Sequence, residues 1–300
     1  MSEQLEIPVW NRGINFKVYN LAQRITYDDL LHKLTRHSAN INNKVDGWVT
    51  NPPEFVTSNK TSACFIYISF KQNANSSRLH SDKIMEYDSA GFVFDFASQL
   101  VILTTSGQDK INTLRRANAF MPISDLTQIS GCSYSGKFLF WLSHLLENEN
   151  GNVCDDICIK DISAITNNLE NLNISDVVSA NTQVTFFPET KVILGLNGGA
   201  SGIRLKVTSN NEEYDFDLYS DGRVRAKKPS SIKLIEDKAH YAKMIHNILQ
   251  KSYNQYNSLV NSGEWSRTDE NKYQVCLLKD ARLEIDKFID GAINDVTTGS

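Results

Sequence analysis

The chain has 300 residues, of which 41% are hydrophobic and 22% are charged, and its formal net charge is −4. These proportions predict a folded protein with a substantial core and exclude a disordered polymer. The sequence contains no apolar run of about 18 residues, which excludes the direct insertion of a helix across a membrane. The net charge excludes a uniformly basic nucleic-acid binder, although a local basic face can still contact phosphates.

The cysteines and the first residues bear on the cellular compartment. Five cysteines, an odd number, are scattered along the chain, which does not indicate a disulfide framework. Cys154 and Cys158 miss the spacing of zinc knuckles, so no metal site is predicted. Residues 1–6 are acidic and lack the apolar stretch of a secretory signal. We therefore expect a cytoplasmic protein with free thiols and no cofactor.

A capping box predicts the first helix, from residue 26 to about residue 37. Thr26 is a good N-cap, and Asp29 stands where the acid of a capping box belongs. Ile25 precedes the cap and can pack against Leu30, which fixes the entry of the chain into the helix.

Three short apolar stretches after this helix predict strands. They are residues 63–70, 92–96 and 99–105, and the last two are close enough to form a hairpin. A further helix is predicted after Gly107. Residues 1–130 therefore form, on this interpretation, an N-terminal α/β domain with a small sheet.

Residues 131–202 are interpreted as a connecting region. A helical stripe at 138–146 is followed by a segment rich in Asn, Asp and Glu, at 147–176, which predicts a surface region or a domain boundary. Residues 183–187 and 191–194 resemble strands, with Pro188 between them. The Gly-rich run at 195–202 lacks the lysine and the helix that a phosphate loop needs, so a flexible hinge is the better interpretation.

Residues 203–228, which we call the charged meander, alternate apolar and charged side chains in three segments. This period of two predicts three half-buried antiparallel strands. Pairing Val207 with Tyr214 places Arg204 opposite Asp217 and Lys206 opposite Asp215. A three-residue loop before the third strand requires Gly222 to adopt the left-handed conformation, and it sets Leu218 opposite Val224.

Two long helices are predicted after the charged meander. Apolar residues recur at steps of three or four from Ile235 to Val260, and a second stripe extends from about Tyr273 to Ile289. Trp265 lies in the turn between them. Residues 203–300 therefore predict an antiparallel meander packed on an αα-hairpin, and the chain as a whole predicts an α+β fold.

The cations of this part of the chain have two interpretations. An acidic middle strand between two basic ones forms a ladder of cross-strand ion pairs, which needs no ligand. Alternatively, the excess of cations beyond the ladder suits phosphate contacts, because residues 222–235 contain no acid. The candidate DNA-binding residues are Arg204, Lys206, Arg223, Arg225, Lys227, Lys228 and Lys233.

The order of elements between residues 202 and 253 resembles a known family. A basic and polar strand leads through a hairpin with a glycine turn into a long helix that carries Tyr241-Ala242-Lys243-Met244 and Ile248-Leu249. In this order the chain resembles the RexA family, the exclusion proteins of phage lambda. The longer N-terminal half and the acidic, Asn-rich middle depart from the family pattern, and no enzymatic motif is involved.

This resemblance implies a cytoplasmic, non-catalytic component of a phage-exclusion system, a form of antiviral defence by abortive infection. Such a protein is similar in role to the DNA-binding KwaB proteins. The resemblance to the RexA family also implies largely sequence-independent binding of double-stranded DNA on the charged meander. It also implies action together with a membrane-protein partner, and the long C-terminal helices predict a homodimer.

Two alternatives stay open at this point. Glu189 and Lys191 have the Glu-x-Lys form of a metal-dependent nuclease strand, and Asp176 precedes them, so the chain could cleave nucleic acid with Mg²⁺. The other alternative is a structural or oligomerisation module that binds no nucleic acid. No spacing of Ser, His, Cys or Asp singles out a catalytic residue.

Overall fold

The structure, a computed structural model, describes residues 14–21, 23–38, 44–45, 48–50, 54–58, 62–72, 85–103, 132–169, 174–179, 187–227 and 235–298. The helices are α1 (Tyr27–Ser38), α2 (Gly136–Asn148), α3 (Pro188–Asn197), α4 (Ile235–Ser262) and α5 (Arg267–Thr298). The strands are β1 (Ile14–Asn20), β2 (Lys44–Val45), β3 (Trp48–Thr50), β4 (Glu54–Ser58), β5 (Ser62–Gln72), β6 (Met85–Asp95), β7 (Leu100–Leu103), β8 (Asn152–Cys154), β9 (Ile157–Leu169), β10 (Ile174–Ser179), β11 (Gly202–Ser209), β12 (Glu212–Tyr219) and β13 (Arg223–Ala226).

The chain forms two compact units, each assembled from two separate stretches. The first unit comprises Met1–Cys132 and Gly222–Met244, and the second comprises Ser133–Asp221 and Ile245–Ser300. The division proposed from the sequence was linear, with boundaries near residues 130 and 202. In the structure, segments distant in sequence share a unit because the pairing of β1 with β13 joins them in the first unit and the packing of helices joins them in the second.

The first unit contains an antiparallel sheet in the order β13-β1-β7-β6-β5-β3-β2, with β4 also paired to β5. The predicted hairpin of β6 and β7 is confirmed, and Phe94 lies opposite Val101. The Asp95 carboxylate closes this hairpin, since it accepts the N–H of Ala97 at 3.1 Å and the Lys243 ammonium at 2.5 Å.

The predicted capping box at the start of α1 is confirmed. The N–H of Thr26 donates to Asp29 Oδ2 at 2.9 Å, and the N–H of Asp29 donates to Thr26 Oγ1 at 3.3 Å. These two bonds satisfy N–H groups that a helix start otherwise leaves without partners. Ile25 and Leu30 are both buried, as a hydrophobic contact across the helix start requires.

The second unit contains an antiparallel sheet in the order β10-β9-β11-β12, with β8 also paired to β9. The register predicted for β11 and β12 is confirmed, because Val207 lies opposite Tyr214 and Arg204 lies opposite Asp217. Gly222 is the last residue of the turn between β12 and β13. Its φ is 82°, the left-handed conformation that the predicted three-residue loop requires.

Helix α2 lies in the core of the second unit. Its N-cap is Ser135, whose Oγ accepts the N–H of Phe138 at 3.1 Å. The rings of Phe138 and Trp141 each lie 5.6 Å from the ring of Tyr256 in α4. Phe140, on the other side of α2, lies 4.9 Å from Tyr273 in α5. The helix therefore packs against both long C-terminal helices.

The acidic, Asn-rich segment was wrongly predicted as a surface region or boundary. It contains β8, β9 and the first half of β10, and β9 lies inside the second sheet between β10 and β11. Ile157, Ile159 and Ile162 are buried. Ile157 and Ile159 alternate with polar residues, and a register shift in the pairing of β9 with β11, between Ile159 and Asp161, lets Ile162 reach the buried face as well. The net acidity of the segment concealed this pattern.

The strand predicted at residues 191–194 is also wrong, since residues 188–197 form α3. Pro188 is the first residue of α3, where the N–H that proline lacks would have no partner within the helix. The Gly-rich run that follows is not a hinge between domains. Gly198 ends α3 in the left-handed conformation, with a φ of 59°, and Gly195 packs so closely on α5 that a Cβ would lie 2.7 Å from Leu278 Cγ.

The predicted C-terminal helices are confirmed, and the second is longer than expected. Helix α5 begins at Arg267 because Ser266 and Asp269 form a second capping box, with Ser266 N–H donating to Asp269 Oδ2 at 3.1 Å. Trp265 is buried in the turn before it. The helix predicted after Gly107 lies outside the described residues. Within the described part of the chain, no helix is long and apolar enough to cross a membrane.

The described pairs of neighbouring strands are antiparallel, and the described helices lie between strands or follow the last one. The predicted α+β fold class is therefore confirmed.

Candidate nucleic-acid interface

The pairing of β1 with β13 brings cations from two distant parts of the chain together. Lys17 lies directly opposite Arg223, and Asn15 lies opposite Arg225. Directly opposed residues of an antiparallel pair share one face of the sheet. We call Lys17, Arg223, Arg225 and Lys227 the basic strip.

Alternation along the two strands explains why these cations face outward. Phe16 on β1 lies opposite Val224 on β13, and both are buried, as is Ala226. Successive side chains of a strand point to opposite faces, so the burial of these apolar residues turns their charged neighbours outward. Arg223, Arg225 and Lys227 are accordingly exposed, and Lys17 is half-buried.

Two further contacts fix the ends of the basic strip. The Lys17 ammonium lies 5.8 Å from the centroid of the Tyr19 ring, within the range of a cation–π interaction. The Tyr241 hydroxyl in α4 donates to the carbonyl oxygen of Lys227 at 3.4 Å, which holds the chain where it leaves β13. Arg223 and Lys227 make other interactions within the protein as well.

The opposition of two cations is not what an ion-pair ladder produces. Opposite charges across a strand pair stabilise a sheet, whereas like charges directly opposite each other destabilise it. Lys17 and Arg223 are such a like-charged pair, on a chain whose net charge is negative. An anion shared between them would lessen this repulsion in addition to the interactions that Arg223 makes within the protein, and phosphate oxygens accept hydrogen bonds from both residue types.

Arg204 and Lys206, the other described candidates, form ion pairs with acidic side chains. Arg204 Nε donates to Asp217 Oδ1 at 2.5 Å, and Lys206 Nζ lies 3.0 Å from Glu213 Oε1. Hydrogen bonds to these acids raise the pKa of both cations. Lys206 also stands opposite Asp161 on β9 and Asp215 on β12. The geometry of these two cations is that of the ladder, so we leave them outside the basic strip.

Sequence reasoning found only part of the basic strip. Lys228 and Lys233 lie outside the described residues, whereas Lys17 was missed. The signal for Lys17 was present, because Ile14, Phe16 and Val18 alternate with polar residues in the manner of a half-buried strand. The pairing of that strand with β13 could not be derived from the pattern of either segment.

A second polar cluster lies in the helical part of the second unit. The Tyr273 hydroxyl donates to Glu147 Oε2 at 2.7 Å, and Lys191 Nζ bonds Glu284 Oε1 at 2.7 Å. Burial raises the pKa of Glu147. Glu147 Oε1 and Thr190 Oγ1 are buried without a hydrogen-bond partner among the described residues. The cluster joins α2, α3 and α5 through bonds between their side chains.

This second cluster does not support the nuclease alternative. The hypothesis needs Glu189 and Lys191 on a strand, but both lie on α3, where Glu189 is exposed and Lys191 is buried against Glu284. Asp176 lies on β10. Among the described residues, no group of three or more His, Cys, Asp or Glu side chains is placed to hold a metal ion.

Comparison with known proteins does not assign the chain to a family. No protein-family model matches it, and no curated protein matches it in sequence.

Proposed function

We propose that the protein binds double-stranded DNA without cleaving it, through contacts between the basic strip and backbone phosphates. The observation that supports this proposal is the direct opposition of Lys17 and Arg223 across β1 and β13. Contacts to phosphates carry no sequence information, so the binding we propose is largely independent of sequence.

The paired strands give the proposed interface its shape. Arg223, Arg225 and Lys227 follow one another at every second position, which spaces them by about 6.8 Å along one line. Lys17 on the neighbouring strand widens this line into a strip two strands across. A strip of this kind suits the backbone of a duplex better than the edge of a base, because the backbone presents a continuous row of charges.

The biological setting that we propose rests on the resemblance to the RexA family. In that setting the protein is a cytoplasmic DNA-binding component of a phage-exclusion system and signals to a membrane-protein partner. The proposal for DNA binding does not depend on this setting, because it is supported by the geometry of the basic strip.

A titration with a fluorescent DNA duplex tests the proposal directly. Binding would be followed by anisotropy at two salt concentrations, with and without Mg²⁺, and the DNA would be examined for cleavage afterwards. Contacts to four phosphates predict a salt slope of about −3.6, which means a loss of affinity of roughly a hundredfold for a fourfold increase in salt.

The possible outcomes separate the three functional classes. Salt-dependent binding of unrelated sequences with intact DNA supports the proposal. Absence of binding at low salt overturns it and leaves the structural module. Cleavage that requires Mg²⁺ would overturn the non-catalytic part of the proposal.

A further inference from the structure

Glu147 lies near the end of α2, in the polar cluster that joins α2, α3 and α5. Its Oε2 accepts the hydroxyl of Tyr273 at 2.7 Å, whereas its Oε1 is buried without a hydrogen-bond partner in the described part of the chain. Burial of a charged carboxylate oxygen without a partner costs free energy. A proton on this carboxyl group removes the charge and therefore lowers that cost.

The charges around Glu147 also oppose a negative charge there. The titratable groups that interact with it are Lys191 from α3 and Tyr273, Cys276, Asp280 and Glu284 from α5. The Lys191 ammonium already pairs with Glu284 Oε1 at 2.7 Å, so its charge is largely compensated. Asp280 and Glu284 both repel a negative charge on Glu147.

The hydrogen bond from Tyr273 acts in the opposite sense, because it favours the charged form of the carboxyl group. Burial nevertheless raises the pKa of Glu147, with the two acids of α5 adding to this effect. Burial also raises the pKa of Tyr273 far above its ordinary value, so its hydroxyl keeps its hydrogen. The surroundings of Glu147 therefore favour a carboxyl group that holds its proton.

We propose that a proton on Glu147 strengthens the contact of α5 with α2, which makes the docking of the long C-terminal helix sensitive to pH. Separation of the two helices returns Glu147 to water, where the carboxyl group releases its proton more readily. The contribution of this proton is fully present below pH 4.5 and is lost as the pH rises through the folded-state pKa. The proposal is independent of DNA binding, because α2, α3 and α5 contain no residue of the basic strip.

His144, three residues before Glu147 on α2, responds to pH in the opposite direction. Its ring lies 4.8 Å from the ring of Tyr273 and 4.6 Å from the ring of Trp265. Burial lowers the pKa of His144, so the contribution of the neutral ring is present above pH 6.5 and is lost as the pH falls. Only a comparison with a variant at residue 147 isolates the effect of the Glu147 proton.

A ¹³C NMR titration of the Glu147 side-chain carboxyl tests the first part of the proposal, and Glu147→Gln assigns the signal. The midpoint in the unchanged protein should lie above pH 4.5. Glu284→Gln should lower this midpoint by about one pH unit, because it removes one repelling charge and leaves the Lys191 ammonium without its paired carboxylate.

Asp290→Asn is the matched control for the loss of one acid from α5. Asp290 is exposed and lies six residues beyond Glu284 on the same helix. Its removal should leave the midpoint of Glu147 unchanged. Circular dichroism at each pH would establish that every variant retains its helices.

Amide hydrogen exchange of residues 267–281 measures the docking of α5. At each pH, protection relative to the intrinsic exchange rate would be compared between the unchanged protein and Glu147→Gln. The ratio of the two should fall with rising pH by up to about tenfold per unit above pH 4.5, and should become constant above the folded-state midpoint.

Three results would overturn the proposal. A Glu147 midpoint at or below pH 4.5 would show that the folded protein does not hold the proton more tightly. A protection ratio that is the same at every pH would show that α5 docks independently of this proton. A Glu284→Gln midpoint that moves no further than that of Asp290→Asn would show that the charges of the cluster are not the cause.

Discussion

Lys17 on β1 lies directly opposite Arg223 on β13, so that two cations share one face of the sheet in the first unit. Such an opposition destabilises a strand pair. If the strip serves to bind phosphate, removal of one cation should lower the affinity for DNA without a matching loss of stability.

Lys17→Gln tests this opposition. We expect its free energy of unfolding to change by less than about 1 kcal/mol, because the repulsion from Arg223 and the cation–π contact with Tyr19 are removed together. We expect its affinity for duplex DNA to fall for all sequences alike, and the salt slope to flatten by about one unit. Denaturant unfolding and the anisotropy titration measure the two effects.

Lys279→Gln is the control for the loss of one positive charge. Lys279 is exposed on α5, away from the basic strip in sequence and on the other unit. Its DNA affinity should be unchanged. If Lys17→Gln and Lys279→Gln bind DNA equally well, Lys17 is no part of the interface.

The ion pair between Arg204 and Asp217 should contribute to the stability of the fold and not to the affinity for DNA. Arg204 is about half exposed and Asp217 is mostly buried, with relative side-chain exposures of 46% and 13%. A double-mutant cycle of Arg204→Ala and Asp217→Ala should yield a coupling energy of about 0.2–1 kcal/mol. The DNA affinity of Arg204→Ala should stay close to that of the unchanged protein, and a loss as large as that of Lys17→Gln would return Arg204 to the interface.

Glu147→Gln should stabilise the protein at neutral pH. Burial raises the pKa of Glu147 above its ordinary value of 4.5, so the folded state holds the proton more tightly than the unfolded state does. The stabilisation from this proton is fully present below pH 4.5 and is lost as the pH rises through the folded-state pKa. The variant should therefore gain in Tm at pH 7 and lose this advantage near pH 4.

Asp155→Asn is the control for this charge removal, because Asp155 is exposed in the turn between β8 and β9. Its Tm should differ little from that of the unchanged protein at either pH. A Glu147→Gln variant that is less stable at pH 7 would show that the charged hydrogen bond to Tyr273 outweighs the burial of the carboxylate.

His246 should make the protein sensitive to acid. Burial lowers the pKa of His246 from 6.5 to about 4, so the folded state binds its proton less readily than the unfolded state. The stability that this neutral histidine contributes is present above pH 6.5 and is lost as the pH falls towards 4. His246→Leu should reduce the fall in Tm between pH 7 and pH 4, whereas His240→Leu, at an exposed position of α4, should not.

Gly151→Ala should be among the most destabilising single changes. Gly151 has a φ of 73°, and a Cβ there would overlap the carbonyl oxygen of Ile159. The strained conformation and the clash together should lower the free energy of unfolding by about 3 kcal/mol or more. Gly263→Ala is the matched control: its φ is 81°, but its Cβ would meet nothing within 4 Å, so only the smaller conformational cost of about 1 kcal/mol should appear.

Local signals in the sequence predicted the elements that depend on local physics. The capping box at Thr26 and Asp29 acts over three residues, and it was found. The hairpin of β11 and β12 was predicted with its register, because burial of one face and a short turn fix the pairing together.

The predictions failed where a local pattern was ambiguous. The apolar run that follows Pro188 is short and contains β-branched residues, so it fits a strand as well as a helix, and the helix was decided by Pro188 at its start and by packing on α5. In β9, the many Asn and Asp residues around the buried Ile157 and Ile159 led to the wrong prediction of a surface segment.

Only the part of the basic strip that lies on β13 could be predicted from the sequence. Alternation around Val224 places Arg223 and Arg225 outward, and both were identified. Lys17 joins them through a pairing between strands about 200 residues apart, which no local pattern encodes.

This long-range pairing has a consequence for the synthesis of the protein. Strand β1 leaves the ribosome early, but β13 follows only after β12 of the other unit has been made. At a synthesis rate of about 5–20 residues per second, the edge of β1 that pairs with β13 stays without its partner strand for roughly ten seconds or more. Any nascent or truncated chain that stops before Arg223 therefore presents the backbone of residues 14–17 without its native neighbour, and an open edge of this kind is where chaperones or aggregation act first.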